Sequence, residues 1–161
     1  MRILITGGCG FVGSSLAILL KKKLKKTKIF SLDNLSRKGS KINRTRLKKF
    51  GIKNYKLDVI SKKILRLPSF NLIIDCCAEP AIEDSKNNPD KVFNTNLIGT
   101  YNILKKVQRD NAKLIFLSTS RVYSIKELNK ISKNKILKNR IRTNLKIDHG
   151  FSNSSPLSLY G

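Results

Sequence analysis

Closely spaced glycines near the N-terminus constrain the fold more than any other feature of this sequence. They follow the apolar run Arg2–Thr6 and precede Phe11–Leu24, where apolar residues recur at helical spacing. A strand, a glycine turn and a helix in this order are typical of a dinucleotide fingerprint, because glycines let the backbone approach a pyrophosphate at the helix N-terminus. A bare glycine turn is the alternative for the motif taken alone. The residues assigned to cofactor binding here are Gly7, Gly10, Phe11, Val12 and Gly13.

Apolar segments that suit buried strands alternate with helical segments along the rest of the chain. The predicted strands are 2–6, 28–32, 52–57, 71–76 and 113–117, and the predicted helices are 11–24, 61–66 and 88–111. Residues 34–41 are polar and predict a loop. This alternation predicts an α/β fold, a Rossmann-type doubly wound parallel sheet.

The helix at 88–111 has a clear start, since Asn88 suits the N-cap and Pro89 the first turn. Apolar residues then recur three and four positions apart, which predicts one long helix with a single apolar face. That face is predicted to carry Phe93, Leu97, Thr100, Leu104 and Val107.

Two aspartates end predicted strands and are candidates for contacts with an adenosine. Asp33 lies twenty residues after Gly13, where a carboxylate can bind both ribose hydroxyls. The same charge repels a 2′-phosphate, so we expect NAD rather than NADP, although Arg37 in the next loop is able to attract that phosphate. For Asp58 a contact with adenine and a solvated loop position are both open.

The net charge of +24 raises the alternative of a nucleic-acid ligand. The basic residues fall into three separate stretches, 21–28, 37–56 and 130–146, and no aromatic residues are interleaved with them in a stacking pattern. A general excess of lysine on solvated surfaces explains the net charge better than a nucleic-acid ligand does. If the chain is not part of an enzyme, the alternative is a non-catalytic basic module that binds nucleic acid.

The cysteines and the histidine do not predict a metal site or a disulfide. Neither a C-x-x-C pair nor the spacing of metal ligands occurs among Cys9, Cys76 and Cys77, and His149 is the only histidine. We therefore expect small buried thiols. The Met1–Thr6 run is too short for the apolar part of a signal peptide, and no stretch reads as a membrane span, so we expect a cytoplasmic protein without a membrane partner.

Three strings carry a resemblance to a known family over nearly the whole chain. They are LDNLSRKG at 32–39, DCCAEPA at 75–81 and LSTSRVY at 117–123. With the glycine motif, they make the chain similar to the NAD-dependent epimerase/dehydratase family, an extended short-chain dehydrogenase/reductase group. Its CDP-sugar 2-epimerases are the branch that the strings resemble most. At 75–76, Asp-Cys replaces the His-Leu of many members.

The resemblance implies roles for further residues. It implies that Thr119 contacts the sugar and that Tyr160 opens the Tyr-x-x-x-Lys motif. It implies substrate contacts at Glu79, Ser120 and Arg121. It extends the cofactor set to Asn34, Arg37, Asp58, Val59, Cys77, Ala78, Asn96 and Ser118.

The implied activity is nucleotide-sugar epimerisation. A tyrosine beside a nicotinamide removes a hydroxyl proton while hydride leaves the same carbon, provided that nearby positive charge lowers its pKa. The family's dehydratases carry Asp-Glu after the threonine, and Ser120-Arg121 stands there instead, which favours epimerisation. The resemblance implies oxidation at C2 of a CDP-linked dideoxyhexose, and a UDP-sugar 4-epimerase is the alternative.

The resemblance also bears on completeness. The motif lysine falls four residues after Tyr160, beyond Gly161, so we expect residues 1–161 to form an incomplete NAD-binding domain that is inactive by itself. We expect residues 124–157 to be a basic, irregular insertion. We expect the full-length protein to be a homo-oligomer.

Overall fold

The structure, a computed structural model, describes residues 1–79 and 88–118. Five strands alternate with helical segments in this part of the chain. The strands are β1 (Arg2–Thr6), β2 (Lys28–Leu32), β3 (Lys53–Tyr55), β4 (Leu72–Asp75) and β5 (Lys113–Phe116). The α-helices are α1 (Phe11–Lys23), α2 (Ser40–Lys49), α3 (Pro89–Phe93) and α4 (Thr100–Asp110). A 3₁₀ helix covers Lys62–Arg66, and a π-helical turn, Asn94–Gly99, joins α3 to α4.

The five strands form one parallel sheet in the order β3-β2-β1-β4-β5. This confirms the predicted fold class. The order reverses at β1, whose neighbours are β2 and β4, so a crevice opens there outside the carboxyl ends of the strands.

The two faces of the sheet are buried separately, as alternation along β1 requires. Ile3 and Ile5 pack on one face with residues of α1, including Ala17. Leu4 packs on the other face with Ile64 of the 3₁₀ helix and Ile103 of α4. Helices therefore cover both faces, which is why the central strands β1, β2 and β4 carry apolar residues on both sides.

One helix was missed in the sequence. Helix α2 begins at Ser40, inside the segment predicted as a loop, and buries only Ser40 and Leu47. Its other apolar residue, Ile42, is exposed. A ten-residue segment with so little apolar surface has no readable helical period.

The predicted long helix is interrupted. Asn88 caps α3 as expected, its side chain accepting a hydrogen bond from the Lys91 amide at 3.0 Å. The π-helical turn then adds residues to the turn, so a three-and-four spacing no longer keeps one face. Phe93 and Leu97, predicted on the apolar face, are each 55% exposed. The buried residues of α4 are Asn102, Ile103 and Lys106.

The short elements agree with the sequence to within two residues at most ends. Strand β3 is also within these limits, but it is three residues long where six were predicted. No helix among the described residues is long and apolar enough to cross a membrane.

Candidate functional site

A cavity of about 360 Å³ opens where β1, β2, β3 and β4 end. Segments that follow these four strands line it, as expected for a ligand crevice in an open α/β sheet. Its lining includes most of the predicted cofactor residues, namely Gly7, Gly10, Asp33, Asn34, Arg37, Asp58, Val59, Cys77 and Ala78, together with Glu79.

The glycine turn has no room for side chains. Gly7 has φ +59, and a Cβ there would lie 2.7 Å from the Cys76 carbonyl oxygen. A Cβ at Gly13 would lie 2.8 Å from Gly8 Cα. The Gly10 amide donates to the Gly7 carbonyl at 2.9 Å and closes the turn. Gly7 and Gly13 are therefore required by the backbone path itself.

The N-terminus of α1 follows this turn directly. Gly10 occupies the N-cap, so no side chain caps the helix, and the first turn contains no acidic residue. Such an end carries partial positive charge and exposed amides that suit an anion. Phe11 and Val12 form this first turn, but both side chains are exposed and neither lines the cavity.

Gly8 is a required residue that the fingerprint spacing did not identify. A Cβ there would lie 2.8 Å from both the Ile5 carbonyl oxygen and Ser31 Cβ. The Gly8 amide also donates to the Leu32 carbonyl at 3.2 Å, tying the turn to β2. The doubled glycine was the only sequence signal for this close approach.

Asp33 is held against the glycine turn. Its Oδ2 accepts from the Cys9 amide at 2.9 Å, and its Oδ1 accepts from the Leu35 amide at 2.8 Å. These bonds fix the carboxylate at the end of β2 while leaving each oxygen a further lone pair. Leu35 has φ +64, which is rare for a residue with a side chain and is maintained by this local turn.

Asp58 also lines the cavity and is bound to its neighbours. Its Oδ2 accepts from Asn34 Nδ2 at 2.6 Å, and its Oδ1 accepts from the Ile60 amide at 3.1 Å. Asp58 thus orients Asn34 within the loop after β2. A contact between Asp58 and adenine stays a prediction.

Glu79 is the centre of an ion-pair cluster at the cavity. Its side chain is only 6% exposed and binds the guanidinium of Arg37 through Oε1 and Lys91 Nζ through Oε2, the latter at 2.9 Å. Asn96 does not line the cavity, but its amide side chain bonds to both backbone groups of Glu79, at 2.8 and 3.1 Å. Asn96 therefore holds the segment that presents Glu79.

Burial perturbs the pKa values of one acid and three thiols in and beside the cavity lining. It raises the pKa of Asp75, against hydrogen bonds from Thr6 Oγ1 and the Cys77 amide that lower it. Burial also raises the pKa of Cys9 and of Cys76 to about 11 and that of Cys77 to about 12. These thiols are protonated at neutral pH and are poor nucleophiles.

The remaining predicted site residues lie past β5. Ser118 is the last residue that the structure describes there, and it is exposed. Thr119, Ser120, Arg121 and Tyr160, and the predicted insertion at 124–157, lie outside the described residues.

The residues at the cavity fit one half of a dinucleotide. The glycine cradle and the uncapped α1 N-terminus suit a pyrophosphate, and the fixed Asp33 carboxylate suits ribose hydroxyls. The described residues contain no group of three potential metal ligands.

Comparisons with known proteins point the same way. The sequence profile of the NAD dependent epimerase/dehydratase family matches residues 3–144. The dTDP-glucose 4,6-dehydratase of Mycolicibacterium smegmatis is 30% identical over 136 residues, which cover 80% of this chain and 39% of that protein. The CDP-paratose 2-epimerase of Salmonella typhi is 35% identical over 132 residues, which cover 76% of this chain and 38% of that protein.

A solved structure shows the same likeness in three dimensions. The UDP-Glc/GlcNAc 4-epimerase of Campylobacter jejuni superposes with a TM-score of 0.67 at 30% identity, covering 76% of this chain and 38% of that one. The chain thus spans about two fifths of the length of these relatives.

Proposed function

Because the chain belongs to the NAD dependent epimerase/dehydratase family, we propose that it binds NAD at this cavity and supplies the N-terminal part of a nucleotide-sugar epimerase. The observation that supports this most is the Asp33 carboxylate bound to the Cys9 amide of the glycine turn. That bond places a ribose-binding acid beside a pyrophosphate-binding turn, and a dinucleotide needs both at once.

The proposed cofactor is NAD rather than NADP. A 2′-phosphate brought beside the Asp33 carboxylate would meet like charge, whereas a 2′-hydroxyl donates a hydrogen bond to it. NAD, when bound, supplies a hydride acceptor that returns the hydride within one catalytic cycle.

Thr119 and Tyr160 are the proposed catalytic residues. The Tyr160 phenolate takes the proton of the sugar hydroxyl as the hydride leaves the same carbon, and it gives that proton back when the hydride returns to the opposite face. The Thr119 hydroxyl binds and orients the sugar. By the resemblance, Ser120 and Arg121 stand at the place of the dehydratases' Asp-Glu pair, so these two positions do not supply the acid and base that eliminate water.

The proposed substrate is a CDP-linked dideoxyhexose oxidised at C2. The similarity to CDP-paratose 2-epimerase supports this choice. The alternative is 4-epimerisation of a UDP-sugar, which the likeness to the Campylobacter jejuni enzyme favours. Both need the same cofactor half of the site, and they differ in the carbon that is oxidised and in how the sugar nucleotide is recognised.

We propose that the full-length protein forms a homo-oligomer through the helical segment 89–110. Four large apolar side chains remain exposed along it, and a cluster of exposed apolar residues is typical of an interaction surface. They are Phe93, Leu97, Tyr101 and Leu104.

Isothermal titration calorimetry and product analysis together test this function. We expect the chain to bind NAD and to bind NADP more weakly. In a protein that includes the motif lysine after Tyr160, we expect NMR of the products to show inversion at C2 of a CDP-sugar. Inversion at C4 of a UDP-sugar would select the alternative, and failure of the chain to bind NAD would contradict both.

A further inference from the structure

Acidic side chains outnumber basic ones in the described lining of the cavity, whereas the chain as a whole is strongly basic. The chain carries a net charge of +24, but the cavity lining contains three carboxylates, Asp33, Asp58 and Glu79, and only two basic residues among those described. Long-range attraction by such a chain favours the more anionic dinucleotide. Discrimination against NADP therefore has to come from contacts within the cavity.

Both basic residues of the described lining, Arg37 and Lys91, bind the same carboxylate, that of Glu79. Arg37 lies in the loop after Asp33, where a guanidinium is able to bind a 2′-phosphate. The side chain of its partner, Glu79, is 6% exposed, while the side chain of Arg37 is 50% exposed. Releasing the guanidinium would leave a buried carboxylate with one cation fewer, which is unfavourable.

We propose that Glu79 is a specificity-determining residue that makes the site select NAD by sequestering the Arg37 guanidinium. This inference rests on the proposed NAD function and adds a second element to it. Asp33 repels a 2′-phosphate, and Glu79 removes the cation that would compensate for that repulsion. Asn96 fixes the backbone of Glu79 on both sides and so keeps the carboxylate in place.

The substitution Glu79→Gln tests the proposal with little change in shape. It removes the charge that holds Arg37, so the guanidinium becomes available to a phosphate. We expect the affinity for NADP to rise about tenfold, as a charge-assisted hydrogen bond at a half-exposed site would give. The affinity for NAD, which has no 2′-phosphate, is expected to change less than about threefold. Calorimetry at physiological ionic strength measures both, because distant charges are screened there far more than a direct contact is.

Asp90→Asn is the matched control. It makes the same change in net charge on the neighbouring helix α3, at an exposed residue. We expect it to change NADP affinity less than about twofold, since exposed charges at a distance are screened. An equal gain in Asp90→Asn and Glu79→Gln would show a general charge effect and overturn the proposal.

Changes at Arg37 separate this inference from the proposed function. In the double variant with Arg37→Gln, the gain from Glu79→Gln should disappear. If Glu79→Gln fails to fold, Glu79→Met, which is similar in size and also uncharged, should give the same gain in NADP affinity, and no gain there would overturn the proposal. A wild-type chain that binds NAD, with no gain in Glu79→Gln, contradicts the inference alone. A wild type that binds neither dinucleotide contradicts the proposed function as well.

Discussion

At the scale of single residues, Asp75 is unusual because its charge is buried beneath the cavity. It is 2% exposed, and its Oδ2 finds no partner within the described residues. Oδ1 accepts from Thr6 and from the Cys77 amide. Burying a charge without a full set of partners is unfavourable, so a neutral group suits this position physically.

Asp75→Asn is expected to flatten the dependence of stability on pH. Burial raises the pKa of this carboxyl in the folded chain above its ordinary value of 3.8, so the folded state holds the proton more tightly than the unfolded state. The wild-type chain should therefore lose stability as pH rises above about 4 through the folded-state pKa. The variant has no carboxyl at position 75 to ionise, so its unfolding free energy should not fall in this way.

Urea unfolding between pH 4 and pH 8 measures the difference. Asp90→Asn, which removes an exposed carboxyl, is the control and should follow the wild type. If the wild type and Asp75→Asn keep a constant difference in unfolding free energy over this range, the expected raised pKa is wrong.

At the scale of elements, a buried ion pair within α4 binds that helix to the segment that precedes β4. The side chains of Lys106 and Asp110 are fully buried and lie 2.7 Å apart. Lys106 Nζ also donates to the carbonyls of Leu67 and Pro68, and Asp110 accepts from the Phe70 amide at 3.0 Å. The pair thus satisfies the backbone of the segment that enters β4.

Lys106→Met should destabilise the fold by about 3 kcal/mol, because it leaves the Asp110 carboxylate and two carbonyls without their cation. Lys105→Met is the matched control, since Lys105 precedes it in the same helix and is exposed. We expect that control to change the unfolding free energy by less than about 0.5 kcal/mol. Equal effects of the two substitutions in urea unfolding would contradict a structural role for the pair.

At the scale of the whole molecule, the exposed apolar residues of segment 89–110 decide the expected assembly. Leu97→Glu places a charge in the middle of that series. We expect sedimentation velocity of the full-length protein to show a shift from oligomer to monomer. Ile42→Glu on α2, at an even more exposed residue, is the control and should leave the oligomer intact. A wild type that is already monomeric would contradict the proposed oligomer.

The sequence by itself determined the fold class and much of the cavity. Apolar runs ending in glycine or aspartate are local signals, because a buried parallel strand must be apolar and its carboxyl end must turn. Gly7, Gly10 and Asp33 were found in this way, and the structure brings all three to one cavity. The family strings placed Arg37 and Glu79 near a ligand without revealing that they bind each other.

Only the tertiary structure decided what depends on distant contacts. Helix α2 forms with almost no apolar period, and the π-helical turn changes which side of 89–110 is buried. The pairing of Arg37 with Glu79 joins residues 42 positions apart. Local propensity and spacing report on neighbours along the chain, whereas these features arise from free energy gained across it, by packing on the sheet and by neutralising a buried charge.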